Sequence, residues 1–300
     1  MSLNSEKLES FLEFAQEYEQ VWNTFIKRLK SSKHIIFVTG AGISVNSGIP
    51  DFRSIQNVYT DINPKMLLNI DVYSSKDKLN QYLKFVNRYK EYDNNAEPSK
   101  THHFLKNMVE KGNVLRVYTQ NIDSLHEKSG MNPKYLIKMH GDLNFVKCSS
   151  YVCGHKELYT QLVINTFEKT DNILECTCCK LNASERSINK KRKRAEIGRM
   201  VPNIVLYDDV NDCSGTSVSA AVEEDLKCSP DLLIILGTSL SLTNLNGLLK
   251  KIRNYMMDPF IVYINKKRLK ENHPVCKMLN IQLIGDCDMI LEAVEEELKE

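Results

Sequence analysis

Two pairs of cysteines are the residues whose type and spacing predict chemistry most directly. Cys148 and Cys153 are separated by four residues, and Cys176 and Cys179 by two, with 22 residues between the pairs. Four thiolates at this spacing can close a tetrahedral shell, which suits Zn2+ and leaves no coordination position open. The pattern therefore predicts one structural zinc ion, which cannot activate water.

Two nearby side chains compete with these cysteines as ligands. Cys178 lies inside the second pair, and His155 follows Cys153 by two residues. The spacing favours the four cysteines, since unrelated core thiols are not expected to form two close pairs around one polar loop. The remaining cysteines are scattered and are expected to be isolated thiols: Cys213, Cys228, Cys276 and Cys287.

A glycine-rich segment at 40–54 (GAGISVNSGIPDFRS) follows an apolar run at 34–39 that is typical of a buried parallel strand. Gly40 and Gly42 would let the backbone approach a phosphate at the start of a helix. The dinucleotide fingerprint of ordinary dehydrogenases requires a third glycine where Val45 stands. The sequence therefore excludes an ordinary dehydrogenase. Residues 49–54 form a polar, proline-kinked loop that could cover a bound dinucleotide.

Polar side chains follow two further runs that are typical of strands. Gln120, Asn121 and Asp123 come directly after 114–119, and His140 follows 135–139. The carboxyl ends of parallel strands are where open α/β sheets bind ligands. A turn in which Asp123 caps the next helix, and a purely structural histidine, are the alternatives.

The elements that must position these residues alternate along the chain. Short apolar runs at 34–39, 114–119, 135–139, 203–207, 231–236 and 260–264 predict strands. Helical patterns at 5–30, 76–92, 99–111, 218–227, 244–257 and 288–299 lie around and between them. This alternation predicts an α/β fold with a doubly wound parallel sheet, which the cysteine-rich and lysine-rich stretch at about 145–200 interrupts as an inserted small domain.

Composition places the chain among globular proteins. It has 300 residues, of which 42% are hydrophobic and 26% charged, with a formal net charge of +2. Its sequence contains no apolar run near the roughly 20 residues that span a bilayer, and its acidic, amphipathic N-terminus is unlike a signal or transit peptide. We therefore expect an intracellular protein with reduced cysteines and no membrane contact.

Taken together, these motifs resemble the sirtuins, the NAD-dependent protein deacylases. The resemblance rests on GAGISVNSGIPDFRS, on TQNIDSLH at 119–126, on HGDL at 140–143 and on the four-cysteine module. It extends to GTSL at 237–240, to Asn265 after a strand, and to Asp286-Cys287-Asp288. In all, it covers about residues 30–295.

The resemblance implies a Rossmann-like, doubly wound parallel sheet with an inserted small zinc-binding domain and a helical insertion. The NAD-binding domain would consist of three stretches: residues 1–58, which include the N-terminal helix, residues 100–145 and residues 201–300. The helical insertion would occupy residues 59–99, and the zinc-binding domain with its basic loop would occupy residues 146–200.

The implied activity is NAD-dependent removal of acetyl groups from protein lysine, giving nicotinamide, deacetylated protein and O-acetyl-ADP-ribose. His140 would take the ribose proton, and Asn121 would order the ribose and a water. Asp123 and Ile49 would contact the nicotinamide carboxamide. The NAD-binding residues implied by the resemblance are Gly40, Ala41, Gly42, Ile49, Asp51, Phe52, Arg53, Gln120, Asn121, Ile122, Asp123, His140, Gly237, Thr238, Ser239, Asn265, Lys266 and Cys287.

Some positions depart from the family pattern. The substrate-facing strand of sirtuins usually ends in aromatic-Gly-Glu, where this chain has Tyr207-Asp208-Asp209. The polar stretch after Cys179 is long and contains five consecutive basic residues: Lys190, Lys191, Arg192, Lys193 and Arg194. This stretch most resembles the fungal nuclear branch that deacetylates histones.

That branch implies an acetylated histone as substrate, a nuclear location and contact with chromatin through the basic residues 190–194. A cytoplasmic location and a plain solvated loop remain the alternatives. Two other functions also stay open. A mono-ADP-ribosyltransferase would use the same activated ribose, and a non-catalytic zinc-bearing chromatin-binding module would use the basic run alone.

Overall fold

The fold is known from a computed structural model, which describes residues 5–50, 64–150, 152–169, 174–188, 197–209, 214–241 and 243–299. The strands within these described residues are β1 (Ile35–Thr39), β2 (Val114–Thr119), β3 (Leu136–Lys138), β4 (Gly141–Cys148), β5 (Lys156–Leu158), β6 (Met200–Ile204), β7 (Leu232–Leu236), β8 (Ile261–Asn265) and β9 (Ile281–Ile284). Its α-helices are α1 (Ser5–Ser31), α2 (Pro64–Leu67), α3 (Lys76–Asn95), α4 (Lys100–Glu110), α5 (Leu125–Lys128), α6 (Gln161–Lys169), α7 (Thr177–Ile188), α8 (Ser214–Lys227), α9 (Thr243–Tyr255) and α10 (Cys287–Glu297).

Six strands form one parallel sheet in the order β3-β2-β1-β7-β8-β9. The predicted α/β fold with a parallel sheet is therefore confirmed. The chain winds outward from β1 to β3 on one side, and β7 then lies on the other side of β1. This reversal opens a crevice beyond the carboxyl ends of β1 and β7, where such sheets bind their ligands.

Both faces of the parallel sheet are buried, as its short apolar strands predict. Ile35 and Phe37 of β1 pack into one apolar cluster, with α1, α4 and α10, while Ile36 and Val38 pack into another, with α8 and α9. All five residues of β1 are buried. The sheet is thus a rigid base for the loops that leave its carboxyl edge.

A second, antiparallel sheet has the order β5-β4-β6. Its core is shared with α3, since Val146 and Cys148 belong to the same buried cluster as Tyr82 and Phe85. The prediction that the run at 203–207 adds a strand to the parallel sheet is wrong. That strand is β6, which ends at Ile204 and pairs with β4, because a short β-branched run does not specify its partner.

The glycine turn after β1 also differs from expectation. It leads into two single turns of 3-10 helix, Ala41–Ile43 and Val45–Ser47, instead of the expected helix start. This turn therefore does not place a cluster of backbone amides at the N-terminus of an α-helix. In the part of the chain that the structure describes, no helix is both long and apolar enough to cross a bilayer.

Candidate active site and metal centre

The turns that follow β1 and β7 contact each other at the crevice. The Gly42 amide donates a hydrogen bond of 2.7 Å to the Gly237 carbonyl. A Cβ on Gly40 would lie 2.6 Å from the Thr238 Cβ, and one on Gly42 would lie 2.6 Å from the Gly237 oxygen. Gly237 itself has a φ of 60°, in the left-handed region. These glycines are therefore required because the two turns pack too closely to leave space for a side chain.

The segment after β2 is tied to both turns. The Gln120 amide donates to the Thr39 carbonyl at 2.9 Å, and the Gln120 side chain donates to Thr238 Oγ1 at 2.9 Å. The next residue, Asn121, is 4% exposed, and its side chain donates to Ser44 Oγ at 3.0 Å. Three strand ends are thus joined by polar side chains at the crevice.

Ser44 connects two of the predicted site residues. Its hydroxyl accepts from Asn121 and donates to Asp123 Oδ2 at 2.9 Å. Sequence reasoning assigned no role to Ser44, although it lies in the quoted glycine-rich segment. Its place directly after GAGI, among residues expected at the ligand, was the signal that could have identified it.

The Asp123 carboxylate is almost fully buried, at 1% exposure. Burial raises the pKa of Asp123 to about 6, and the negative charge of Asp93 acts in the same direction, while the hydrogen bond from Ser44 opposes it. Asp123 Oδ1 also accepts from the Leu125 amide at 3.2 Å, so Asp123 does act on the start of the next helix, α5. A carboxylate can accept about four hydrogen bonds. The described residues supply two of them, which leaves capacity for a donor in the crevice.

His140 lies at the end of β3, beside the same segment. Its Nδ1 is 3.0 Å from the Gln120 carbonyl oxygen. Because a carbonyl only accepts, the neutral ring carries its proton on Nδ1 and has a free lone pair on Nε2. Burial lowers the pKa of His140, partly offset by this hydrogen bond. The ring is therefore a neutral base near neutral pH.

The C-terminal site residues surround the turn after β7. Asn265 donates to the Tyr263 hydroxyl at 2.7 Å, and that hydroxyl donates to the Thr238 carbonyl at 2.8 Å. Lys266 forms an ion pair with Asp286 at 3.0 Å. The Cys287 thiol is buried and 3.7 Å from the Ile264 carbonyl, and burial raises its pKa to about 12, so it is no nucleophile.

The other predicted residues are placed as follows. Ile49 and Ile122 are both buried in the core that the antiparallel sheet shares with α3. Ala41 and Ser239 are half-buried in the two turns. Asp51, Phe52 and Arg53 lie outside the described residues, as do residues 190–194.

The structure brings the four predicted cysteines together. The Sγ atoms of Cys148, Cys153, Cys176 and Cys179 all lie within 4.8 Å of one another. Cys148 is 3.7 Å from Cys179, and Cys153 is 3.7 Å from Cys176. A tetrahedral shell with Zn–S bonds of about 2.3 Å has S–S edges of about 3.8 Å. The four thiols are therefore positioned to bind a structural Zn2+.

The competing thiol, Cys178, is not a member of this group of four. Its sulfur accepts a hydrogen bond from the Asn182 side chain, one helical turn later, at 3.6 Å.

Gly198 explains how the chain passes so close to the metal centre. A Cβ at that position would lie 2.3 Å from the Cys148 sulfur.

One departure from the sirtuin pattern has a structural explanation. Asp208 stands where the family has glycine, and its φ is 64°. Aspartate tolerates the left-handed region better than most residues. Here Asp208 Oδ2 also accepts a hydrogen bond of 2.7 Å from the Asn69 side chain, which stabilises this turn.

The sequence model of the Sir2 family matches residues 40–244, which is more than half of the chain. The chain belongs to the Sir2 family. The matched residues include both glycine turns, the segment after β2, His140 and all four cysteines. The resemblance inferred from the motifs is therefore confirmed.

Curated fungal proteins are similar to this chain over most of its length. The NAD-dependent histone deacetylase HST3 of Saccharomyces cerevisiae is 29% identical, with 99% of this chain and 72% of the relative covered. HST3 of Candida albicans is 28% identical over 91% of this chain and 61% of the relative. The NAD-dependent protein deacetylase hst4 of Schizosaccharomyces pombe is 28% identical over 89% and 65%. The chain thus spans about two thirds of the length of these relatives.

Solved Sir2 structures have the same fold. A Sir2 protein bound to an acetylated peptide has a TM-score of 0.70 at 24% identity, with 92% of this chain and 98% of that chain covered. A Sir2 homologue in complex with ADP-ribose has a TM-score of 0.71 at 21% identity, with 92% and 96% covered. At these identities the likeness establishes the Sir2 fold of this chain.

Proposed function

We propose that this chain removes acetyl groups from protein lysine in a reaction that consumes NAD+. The observation that carries the proposal is the convergence of Asn121, Ser44, Asp123 and His140 at one crevice of a Sir2-family fold. Buried amide, hydroxyl and carboxylate groups suit a polar ligand. A neutral imidazole with a free Nε2 suits the removal of a proton.

The residues present fit NAD+ as a co-substrate. Asp123 retains acceptor capacity for a carboxamide, and the hydroxyls and amides of the turns after β1 and β7 suit a ribose and a pyrophosphate. NAD+, when bound, supplies the activated ribose that receives the acetyl group. In this proposal His140 accepts a ribose proton at Nε2, Asn121 orients the ribose, and Asp123 holds the carboxamide.

The zinc centre has a separate role in this proposal. Four thiolates fill a tetrahedral shell, so the ion has no open position at which to activate water. Cys148 ends β4 and Cys176 precedes α7, so the ion would connect the antiparallel sheet to that helix. Binding free energy at such a centre contributes directly to folding.

A histone substrate and a nuclear location are finer proposals. They are supported by the names of the fungal relatives, which are histone deacetylases of similar sequence. The basic residues 190–194 add a chemical reason, because a cluster of five positive charges is attracted to chromatin and to import receptors.

A screen of acetylated histone peptides tests the proposed activity. The chain is incubated with each peptide, with and without NAD+, and the products are analysed by mass spectrometry. We expect deacetylated peptide and nicotinamide only when NAD+ is present. An adduct of ADP-ribose on protein, without deacetylation, would identify a mono-ADP-ribosyltransferase instead. Absence of any NAD+-dependent product would contradict both activities and favour a non-catalytic module.

A further inference from the structure

The peptide group between Asp123 and Ser124 is held on both sides by buried charged side chains. Its carbonyl, on Asp123, accepts a hydrogen bond of 2.8 Å from the Lys138 ammonium. Its N–H, on Ser124, donates to Asp93 Oδ1 at 2.7 Å. The peptide group lies outside any strand or α-helix, so these side chains replace the partners that regular structure would supply.

Asp93 is specialised for this contact. The same Oδ1 also accepts from the Ser124 hydroxyl at 2.7 Å, so one carboxylate oxygen binds both donors of that residue. Asp93 is fully buried in the last turn of α3, where a negative charge is unfavourable toward the helix dipole. Stabilisation of α3 therefore does not explain the position of Asp93. Its other oxygen pairs with Lys90 at 3.1 Å.

The ammonium group of Lys138 is also fully occupied by hydrogen-bond acceptors. Its ammonium has three donors, and three acceptors surround it: the Asp123 carbonyl, Glu127 at 2.6 Å and Asp142 at 3.0 Å. The side chain is only 9% exposed. It enters from the end of β3, two residues before His140, whereas Asp93 enters from α3. Two separate elements thus restrain one peptide group.

Stability alone is a weak reason for this arrangement. Buried ion pairs often contribute little net stability, because the desolvation cost offsets the attraction. The restrained peptide immediately follows the Asp123 side chain and closes the segment that begins at Asn121. Fixing its carbonyl and amide fixes the backbone from which both site residues project.

We propose that Asp93 and Lys138 are positioning residues that hold the 121–124 segment in its NAD+-binding conformation. This inference rests on the proposed function for its link to NAD+, but the restraint itself can be measured without NAD+. Charge-assisted hydrogen bonds are about twice as strong as neutral ones. Loss of either one should therefore release the segment measurably.

The test compares Asp93→Asn and Lys138→Met with Asp225→Asn as a matched control. Asp225, on α8, is also a buried carboxylate, 3% exposed, and it is bound by Arg116 and Tyr118 of β2, both outside the 121–124 segment. Hydrogen exchange of the segment 119–125 is measured in each folded variant without ligand. The KM values for NAD+ and for an acetylated peptide are measured separately.

We expect exchange of 119–125 to accelerate about tenfold in both test variants and to stay near wild type in Asp225→Asn. The KM for NAD+ should rise about tenfold, with the KM for the peptide within about twofold of wild type. In the double variant the increase should be smaller than the product of the single effects, because both side chains restrain the same peptide group. Ser124→Ala, which removes only the hydroxyl, replaces Asp93→Asn if that variant does not fold.

Unchanged exchange in the test variants would overturn the restraint. Faster exchange with an unchanged KM for NAD+ would reduce Asp93 and Lys138 to a structural role and overturn the positioning. If the wild-type chain lacks NAD+-dependent deacetylation, the proposed function fails on its own. Exchange and calorimetric NAD+ binding then still decide the inference.

Discussion

His140 is the single side chain on which the proposed chemistry depends most. Its Nδ1 donates a hydrogen bond to the Gln120 carbonyl, and its Nε2 is the atom proposed to take a proton. His140→Ala should lower kcat/KM by about 10^2 to 10^4-fold, the usual contribution of a general base. NAD+ binding and the unfolding midpoint should stay close to wild type, since the ring is half-buried and makes one backbone hydrogen bond.

Steady-state kinetics and calorimetry check this prediction, and His103→Ala is the matched control. His103 is an exposed histidine on α4, so its removal should leave the activity unchanged. Activity of His140→Ala within a few-fold of wild type would remove the imidazole from the mechanism.

The buried carboxylate of Asp123, which is proposed to bind NAD+, lowers the stability of the fold when it is ionised. Its folded-state pKa of about 6 lies above the ordinary value of 3.8, so the folded protein binds more protons than the unfolded chain between these values. Stability therefore falls as pH rises through this window, and the full cost is present above about pH 6. Asp123→Asn should thus stabilise the fold at about pH 7.5, by at most about 3 kcal/mol, while weakening NAD+ binding.

Denaturant unfolding of wild type and Asp123→Asn across the pH range measures this effect. The difference in the free energy of unfolding should shrink as the pH falls from about 6 to about 4 and disappear below that. A variant that is less stable than wild type at neutral pH would show that the ionised carboxylate stabilises the fold, which would contradict a raised pKa of Asp123.

Among the elements, the zinc centre gives the clearest prediction. Cys179→Ser should lose the bound zinc and lower the unfolding midpoint, because Cys179 is one of the four clustered thiols. Cys178→Ser should keep one zinc per chain, because Cys178 is outside that cluster and contacts Asn182. Metal analysis of both purified variants checks this. Zinc retained in Cys179→Ser and lost in Cys178→Ser would reverse the ligand assignment.

The sequence predicted the elements that local patterns determine. The helical pattern at 76–92 corresponds to α3, and that at 99–111 corresponds to α4, where Ser75 and Ser99 stand at the N-caps. The runs at 34–39 and 231–236 correspond to the buried strands β1 and β7. Because parallel strands end at one edge, the motifs after them were expected at one crevice, and the structure places them there.

Some strands were not predicted from local patterns, and β4 is one of them. The strand β4 mixes apolar and polar residues, and it is stabilised by pairing with β6 about 55 residues later. The side chains of Asp93 and Lys138 belong to no recognised motif. Their roles follow only from tertiary contacts, which a single sequence does not encode in its spacing.

At the scale of the whole molecule, the basic residues 190–194 should act on location and on large substrates. Five adjacent positive charges repel one another and cannot share a buried surface, so we expect them to be accessible to chromatin or an import receptor. Replacing all five by Ser should leave activity on a short acetylated peptide unchanged. Nuclear accumulation should fall, and activity on nucleosomes should weaken in a salt-dependent manner.

Fluorescence microscopy of the tagged chain, and deacetylation assays on nucleosomes at two salt concentrations, measure these effects. The wild-type chain is the control in both. A variant that stays nuclear and deacetylates nucleosomes normally would reduce the segment to a solvated loop.

The central claim concerns the coupling of two products in one reaction. In the proposed activity each acetyl group removed from lysine consumes one NAD+, so nicotinamide and deacetylated peptide must form together. Quantifying both by mass spectrometry in a single time course, with His140→Ala as the inactive control, tests this most directly. We predict equal amounts at every time point and none without NAD+. Deacetylation without NAD+, or nicotinamide release without deacetylation, would contradict the account.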